Sequence, residues 1–177
     1  MKNIREISTS RIVKIALFTA LIIVGTYIKI ETPAMSFTLQ FLFVILAGLV
    51  LGKKDGIVCV SAYILIGLLG IPVFARGGGL AYVVQPSFGY IMAFLPTVFI
   101  AGCFSKSKKG AQFGGLLVAL IVEYLIGAVY YWLVSKLYLG DDIGMRQIMT
   151  YCVLLILPAD LISCFIAVAV AGRLNKK

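Results

Sequence analysis

Apolar residues fall into six long runs, separated by short polar segments, along the whole chain. A helix needs about 20 mostly apolar residues to cross a bilayer, and fewer when neighbouring helices bury it. The second and third runs are short, and their ends are set by Gly52, Gly56, Gly70 and Pro72. The pattern predicts an all-α membrane protein with six transmembrane helices in a compact bundle, over residues 12–30, 37–51, 56–69, 89–104, 111–134 and 150–171.

Composition supports this class, because 62% of the residues are hydrophobic, only 13% are charged and the mean hydropathy is +1.07. A soluble domain carries about a quarter charged residues. Residues 1–177 therefore read as one transmembrane domain. The basic N-terminus resembles the start of a signal peptide, but no small-residue cleavage site follows it, which favours an uncleaved first helix.

The net charge is +9, and its distribution predicts the orientation of the helices. With a cytoplasmic N-terminus, twelve of the sixteen basic residues fall on inside segments: Lys2, Arg5, Arg11, Lys14, Lys53, Lys54, Lys106, Lys108, Lys109, Arg173, Lys176 and Lys177. Only Lys29, Arg76, Lys136 and Arg146 fall outside. This split agrees with the positive-inside rule for six helices with both termini in the cytoplasm. The basic residues lie in breaks between apolar runs, so the charge indicates a membrane and not a nucleic acid.

The longest of the outer connections, residues 70–88, is rich in glycine and contains Arg76. Glycines allow such a loop to fold tightly over a ligand. The triple glycine at 77–79 is not a phosphate-binding loop, because no Lys-Ser or Lys-Thr follows it. Any ATP used by the system must therefore be hydrolysed by another chain.

Two acids, Glu123 and Asp160, fall inside predicted helices. An acid at bilayer depth costs a few kcal/mol unless it faces a cavity or the bundle interior, so both are site candidates. The alternative is a protonated acid that is hydrogen-bonded between helices. The chain has no histidine and no paired cysteines, which argues against a metal site and against catalysis, so we expect no enzyme activity.

Two further features have both a functional and a structural interpretation. Ala16 and Ala20 lie one helical turn apart and allow another helix to approach closely, either within the bundle or from a partner. Trp132 lies at the outer end of the fifth run, beside two tyrosines. These aromatics form either an interfacial belt or, for one of them, part of a pocket wall.

An ordered set of short stretches resembles the BioY family, the biotin-binding S components of energy-coupling factor (ECF) transporters. The stretches span nearly the whole chain: SFTLQ at 36–40, LAGLVLG at 46–52, DG at 55–56, PVFA at 72–75, GGG at 77–79, PSFGY at 86–90, YLIG at 124–127 and LPAD at 157–160. The resemblance implies the S-component fold and high-affinity capture of biotin from outside a prokaryotic cell membrane. It also implies a transmembrane T component that contacts Ala16 and Ala20, two ATPase subunits, and no cofactor.

Two positions depart from the family pattern. The family usually has lysine three residues after the aspartate of the sixth helix, where this chain has Ser163. It usually has a small residue after PVFA, where this chain has Arg76. We hypothesise that Arg76 compensates for the missing lysine by meeting the carboxylate of the ligand; otherwise Arg76 is a solvent-facing loop residue.

The residues suffice for biotin, which has a ureido ring, an apolar fused ring and a carboxylate. Asp160 would accept a ureido N–H, and either Gln40 or Ser163 would donate to the ureido carbonyl. Arg76 or Lys29 would meet the carboxylate. The expected aromatic walls are Phe74, Tyr82, Tyr90 and Trp132.

Other ligands and mechanisms stay open on the sequence alone. The same inventory suits an S component for dethiobiotin or thiamine. A proton-coupled carrier that uses Glu123 and Asp160 as a relay is an alternative from another class. A purely structural membrane protein would not explain the elaborate outer loops or the acid at Asp160.

Overall fold

A computed structural model describes residues 9–31, 36–140 and 144–174, which form a mostly helical protein. Three segments are long and apolar enough to cross a membrane: Thr9–Tyr27, Lys109–Leu139 and Arg146–Leu174. Four of the basic residues in the charge count lie outside the described residues, namely Lys2, Arg5, Lys176 and Lys177.

Helices account for most of the described chain. They are α1 (Thr9–Tyr27), α2 (Gln40–Leu68), α3 (Phe88–Cys103), α4 (Lys109–Val134), α5 (Met145–Met149) and α6 (Leu157–Leu174). A 3₁₀ turn covers Leu80–Val84, and π-helical turns cover Ser135–Leu139 and Thr150–Leu154. Two short strands, β1 (Lys29–Glu31) and β2 (Ser36–Thr38), connect α1 to α2.

Helix α2 is sharply broken at Gly52, whose φ of 78° and ψ of 173° lie outside the helical region. A Cβ atom on Gly56 would lie only 3.5 Å from the Cα of Gly48. In a straight helix these two residues would be about 12 Å apart, so residues 53–68 must fold back along residues 40–51. The second and third apolar runs of the sequence are therefore the two arms of α2.

The arms of α2 form the centre of the bundle, in contact with α1, α3 and α6, while α4 packs on α3 and α6. The core is apolar and includes the fully buried Ile45, Leu49, Val60, Val98 and Leu116. Between membrane helices such side chains are held by close van der Waals packing, since lipid tails are as apolar as the core itself. This packing fixes the helix ends that carry polar groups.

Three predicted element bounds are wrong. The first helix ends at Tyr27 and not at residue 30, because Lys29–Glu31 form β1. Phe37 begins no helix: it lies in β2, which pairs antiparallel with β1 in the register Lys29↔Thr38. The last helix begins at Leu157 and not at residue 150, because residues 150–154 form a π-helical turn. Pro158 then occupies the first turn of α6, where the missing N–H of proline costs no helical hydrogen bond.

The two ends of the bundle differ in character. The cavity end comprises β1, β2, residues 70–87 and the start of α6. The basic end comprises the bend of α2 at Gly52, the connection 104–108 and the start of α4. Helix α3 runs from the cavity end to the basic end, and α4 runs back.

Candidate ligand-binding site

A cavity of about 60 Å³ lies at the cavity end, between the strands, the loop 70–87 and helices α2, α3, α4 and α6. Five of the eight predicted binding residues line it: Gln40, Arg76, Tyr82, Tyr90 and Asp160. Residues that are far apart in the sequence thus meet in one place. Most of the remaining wall is apolar or aromatic, including Phe37, Phe41, Phe94 and Ile156.

Asp160 lies in the first turn of α6 and is 3% exposed. Its Oδ2 accepts a hydrogen bond of 2.6 Å from the hydroxyl of Tyr124 on α4. Among the described residues no donor is seen at the second carboxyl oxygen, Oδ1, while the residue faces the cavity. This leaves an acceptor for a ligand N–H.

Glu123 is the second buried acid of the cavity wall. Its Oε2 accepts a hydrogen bond of 3.1 Å from Thr97 Oγ1 on α3. Both acids therefore face one small cavity, and each has a hydroxyl partner from another helix. Arg76 is the only basic residue among the described residues of the wall.

Gln40 begins α2 and links the strands to the loop through a chain of hydrogen bonds. Thr38 Oγ1 donates to Gln40 Oε1 at 2.9 Å, and Gln40 Nε2 donates to the hydroxyl of Tyr63. The Tyr63 hydroxyl donates in turn to the carbonyl of Val73 at 3.3 Å. A glutamine amide has two N–H donors, so one remains for a ligand carbonyl.

The aromatic wall rests on close contacts with glycine. The ring of Tyr90 lies against Gly127 of α4, where an added Cβ would overlap it, and its hydroxyl donates to the carbonyl of Cys152 at 3.2 Å. Phe74 fills the space that a side chain on Gly67 would need. It lies outside the cavity wall and supports Tyr82 from behind, with a ring-centroid distance of 4.7 Å.

Side chains of the bundle hold the loop 70–87 by its backbone carbonyls. The hydroxyl of Tyr27 donates to the carbonyl of Pro72, Lys29 Nζ donates to the carbonyl of Ala75 at 3.0 Å, and the hydroxyl of Tyr130 donates to the carbonyl of Val83.

The loop turns at Gly70, Gly77 and Gly79, which have φ of 102°, 126° and 95°. Side-chain-bearing residues rarely adopt such φ values, so the glycines permit this path. The loop covers the cavity and leaves Arg76 exposed at its edge.

The other predicted residues lie away from the cavity wall. Ser163 Oγ donates to the carbonyl of Ala159 in its own helix, at 3.0 Å. Trp132 is half-buried, and Lys136 Nζ lies 5.1 Å from the centre of its ring. Ala16 and Ala20 are exposed on the surface of α1.

Reasoning from residue types missed Tyr124 as a partner of Asp160. The sequence holds two indications of Tyr124: it follows Glu123 directly, and it begins the stretch YLIG that resembles the BioY family. Thr97, which supports Glu123, carries no signal in the sequence, because a lone threonine in an apolar run is common. Both contacts depend on how α3, α4 and α6 are packed.

Comparison with known proteins agrees with this architecture. The model of the BioY family matches residues 1–177. The chain belongs to the BioY family. A probable biotin transporter BioY from Lysinibacillus sphaericus is 43% identical over 143 residues, which cover 75% of this chain and 73% of the relative. One from Pyrococcus horikoshii is 39% identical over 162 residues, which cover 91% of this chain and 93% of the relative.

A solved structure is also similar: the S-component for biotin from an ECF-type ABC transporter. It has a TM-score of 0.82 and 27% identity, covering 95% of this chain and 92% of that one. Membership in BioY, whose compared members are transporters, confirms that the chain is a transport protein and not an enzyme. With its apolar helices, it is a membrane protein.

Proposed function

We propose that this chain is the S component for biotin of an ECF-type importer, which captures biotin outside the cell and delivers it inward. The cavity carries this proposal, because one small site combines a buried acceptor at Asp160, a donor at Gln40 and aromatic rings. Relatives named as biotin transporters supply the ligand class.

The groups of the cavity suit the parts of biotin in turn. Asp160 accepts a ureido N–H, and the remaining N–H of Gln40 donates to the ureido carbonyl. Tyr82 and Tyr90 enclose the fused ring. Arg76, at the exposed edge of the loop, meets the carboxylate that points towards water. A largely apolar site with a few placed polar groups is typical of small-molecule binding.

The loop 70–87 must move, or the wall must widen, for a ligand to enter. The cavity measures about 60 Å³, whereas ligand sites commonly measure at least about 300 Å³. If the loop moves, the hydrogen bonds from Tyr27, Lys29 and Tyr130 to its carbonyls are the contacts that break or shift during entry.

The wider setting follows the family. The chain would have six transmembrane helices with both termini in the cytoplasm of a prokaryotic cell, counting the arms of α2 separately. The exposed Ala16 and Ala20 would meet the T component, since small residues let two helices approach closely. Two ATPase subunits would supply the energy.

Equilibrium binding to the purified protein tests the ligand. Biotin, dethiobiotin and thiamine are compared on the original chain and on Asp160→Ala. A ligand N–H left unpaired in a buried site costs about 1–3 kcal/mol, so we expect biotin affinity to fall about 5- to 150-fold in the variant.

Asp55→Asn is the matched control, since it removes an acid from the basic end of the bundle. We expect it to bind biotin like the original chain. Tight thiamine binding without biotin binding would overturn the assignment. Preference for dethiobiotin would shift the proposal to a biotin precursor.

A proton-coupled carrier is the second candidate, because Glu123 and Asp160 face the same cavity. Such a carrier transports without partners, and collapse of the proton gradient abolishes its uptake. An S component requires its partners and ATP. Uptake by liposomes with and without a proton gradient separates the two.

A further inference from the structure

A cleft of about 610 Å³ lies at the basic end, away from the cavity. It is bounded by the bend of α2 at Gly52, the connection 104–108, the start of α4 and Gly172 near the end of α6. Lys106, Lys108 and Lys109 line it, and none of its described wall residues is acidic.

No acid of the described residues lies in the wall of the cleft to neutralise these lysines. The nearby acid is Asp55, which is taken by Arg11: the Nε atom of Arg11 lies 2.9 Å from each carboxyl oxygen. Lys106, Lys108 and Lys109 have no ion-pair partner among the described residues. Lys53 and Lys54, on the other side of the bend, add to the uncompensated charge.

Helix α4 presents its N-terminus to the same cleft. Lys108 precedes it with extended backbone, φ −62° and ψ 152°, and no side chain of the described residues caps the helix. The first amides of a helix of 26 residues therefore face this region without a side-chain partner. Such a terminus favours an anion, above all a phosphate.

Gln112 is an independent indication of a ligand. It lines the cleft, is 4% exposed, and its Nε2 donates to the carbonyl of Ser105 at 3.1 Å. Its Oε1 has no hydrogen-bond partner among the described residues. A buried polar atom without a partner is costly, so a ligand that fits here needs a donor as well as a negative charge.

We propose that this cleft binds the headgroup of an anionic phospholipid with a free glycerol hydroxyl. The phosphodiester lies at the start of α4 between Lys106, Lys108 and Lys109. The Gln112 side chain turns towards the cleft, and a headgroup hydroxyl donates to its otherwise enclosed Oε1. The apolar Leu51 and its neighbours in the wall face the start of the acyl chains. Basic clefts between membrane helices are known to hold anionic headgroups.

Native mass spectrometry of the delipidated full chain tests the site. Phosphatidylglycerol is compared with zwitterionic phosphatidylcholine and with phosphatidylmethanol, which has the same charge but no hydroxyl. We expect phosphatidylglycerol to bind best and phosphatidylcholine worst. Lys106→Gln with Lys108→Gln should weaken phosphatidylglycerol binding by about tenfold or more.

The matched control is Lys136→Gln with Arg146→Gln, which changes the net charge equally away from the cleft; thermal melting verifies that all variants fold. Gln112→Met should abolish the preference for phosphatidylglycerol over phosphatidylmethanol. Three results would overturn the proposal: equal loss in the control, no preference over phosphatidylcholine, or displacement by equimolar glycerol phosphate, which would make a soluble anion the ligand.

Discussion

The cavity end buries Glu123 and Asp160 in an aromatic and apolar wall, whereas the basic end leaves Lys106, Lys108 and Lys109 exposed around an open cleft. Each buried acid has a hydroxyl partner from a different helix. The exposed lysines have no ion-pair partner among the described residues. Desolvated polar groups need fixed partners, while solvated charges do not.

This difference indicates where binding should be sensitive to small changes. In the cavity, polar groups and rings are held by helix packing, so one added methyl group or one lost hydroxyl alters the site. At the basic end, the exposed lysines are solvated, so changes to them should leave biotin binding in the cavity unaltered. The predictions below use pairs of variants to test this separation.

Among the following variants, Gly127→Ala should have the largest effect on biotin binding. The ring of Tyr90 occupies the position of the new methyl group, so Tyr90 must shift into a cavity of about 60 Å³. Overpacking typically costs about 1–3 kcal/mol, which corresponds to an affinity loss of about 5- to 150-fold if the cost falls on the bound state. Calorimetric titration with biotin measures it.

Gly114→Ala is the control for that change, on the same helix but nearer the basic end. Nothing lies within 4 Å of a Cβ added at Gly114. We expect its affinity to match the original chain. Equal losses of biotin affinity in both variants would mean that any added methyl group on α4 disturbs the site. The proposed difference between the cavity end and the basic end would then be wrong.

Tyr124→Phe should weaken biotin binding by about tenfold. The variant removes the hydroxyl that holds Asp160 Oδ2 at 2.6 Å and keeps the ring. Hydrogen bonds of this kind contribute about 1 kcal/mol or more, and 1.4 kcal/mol is tenfold in affinity. Combining it with Asp160→Ala should add little, because both act on one contact. Additive losses would separate their roles.

The positions of the helices follow from hydropathy, and the bounds of α3 and α4 lie within two residues of the prediction. Hydropathy does not predict the strands, because a strand of three residues is too short to show an alternation of apolar and polar residues. They are stabilised by pairing, as between Lys29 and Thr38. The π-helical turn before α6 is apolar and also has no distinct pattern.

Within the site, the cost of burying an acid identified Asp160 from the sequence alone. The cost of burial does not show which cavity or surface an aromatic ring faces. Phe74 and Trp132 are of the right type for a wall, yet Phe74 lies behind Tyr82 and Trp132 lies near Lys136. Residue type predicts that a ring is buried, but only helix packing decides which cavity it faces.

Arg76→Ala should weaken biotin binding by up to about fivefold, because an exposed ion pair contributes about 0.2–1 kcal/mol. The loss should shrink as salt is added, since salt screens exposed charges. Biotin methyl ester, which lacks the carboxylate, should bind the variant and the original chain equally. If Arg76→Ala weakens binding of the ester as much as binding of biotin, Arg76 stabilises the loop and does not meet the carboxylate. Arg146→Ala is the control.

Ser163→Ala should have the smallest effect, less than about twofold. Its hydroxyl donates to the carbonyl of Ala159 in its own helix, and alanine is the better helix former. Biotin affinity is measured for Ser163→Ala and for Tyr124→Phe in parallel. The second variant removes a hydroxyl that does donate to Asp160 and so serves as the comparison. A loss above fivefold would mean that Ser163 turns to the ligand in the bound state. The wall of the cavity would then extend one helical turn further towards the basic end than its present lining.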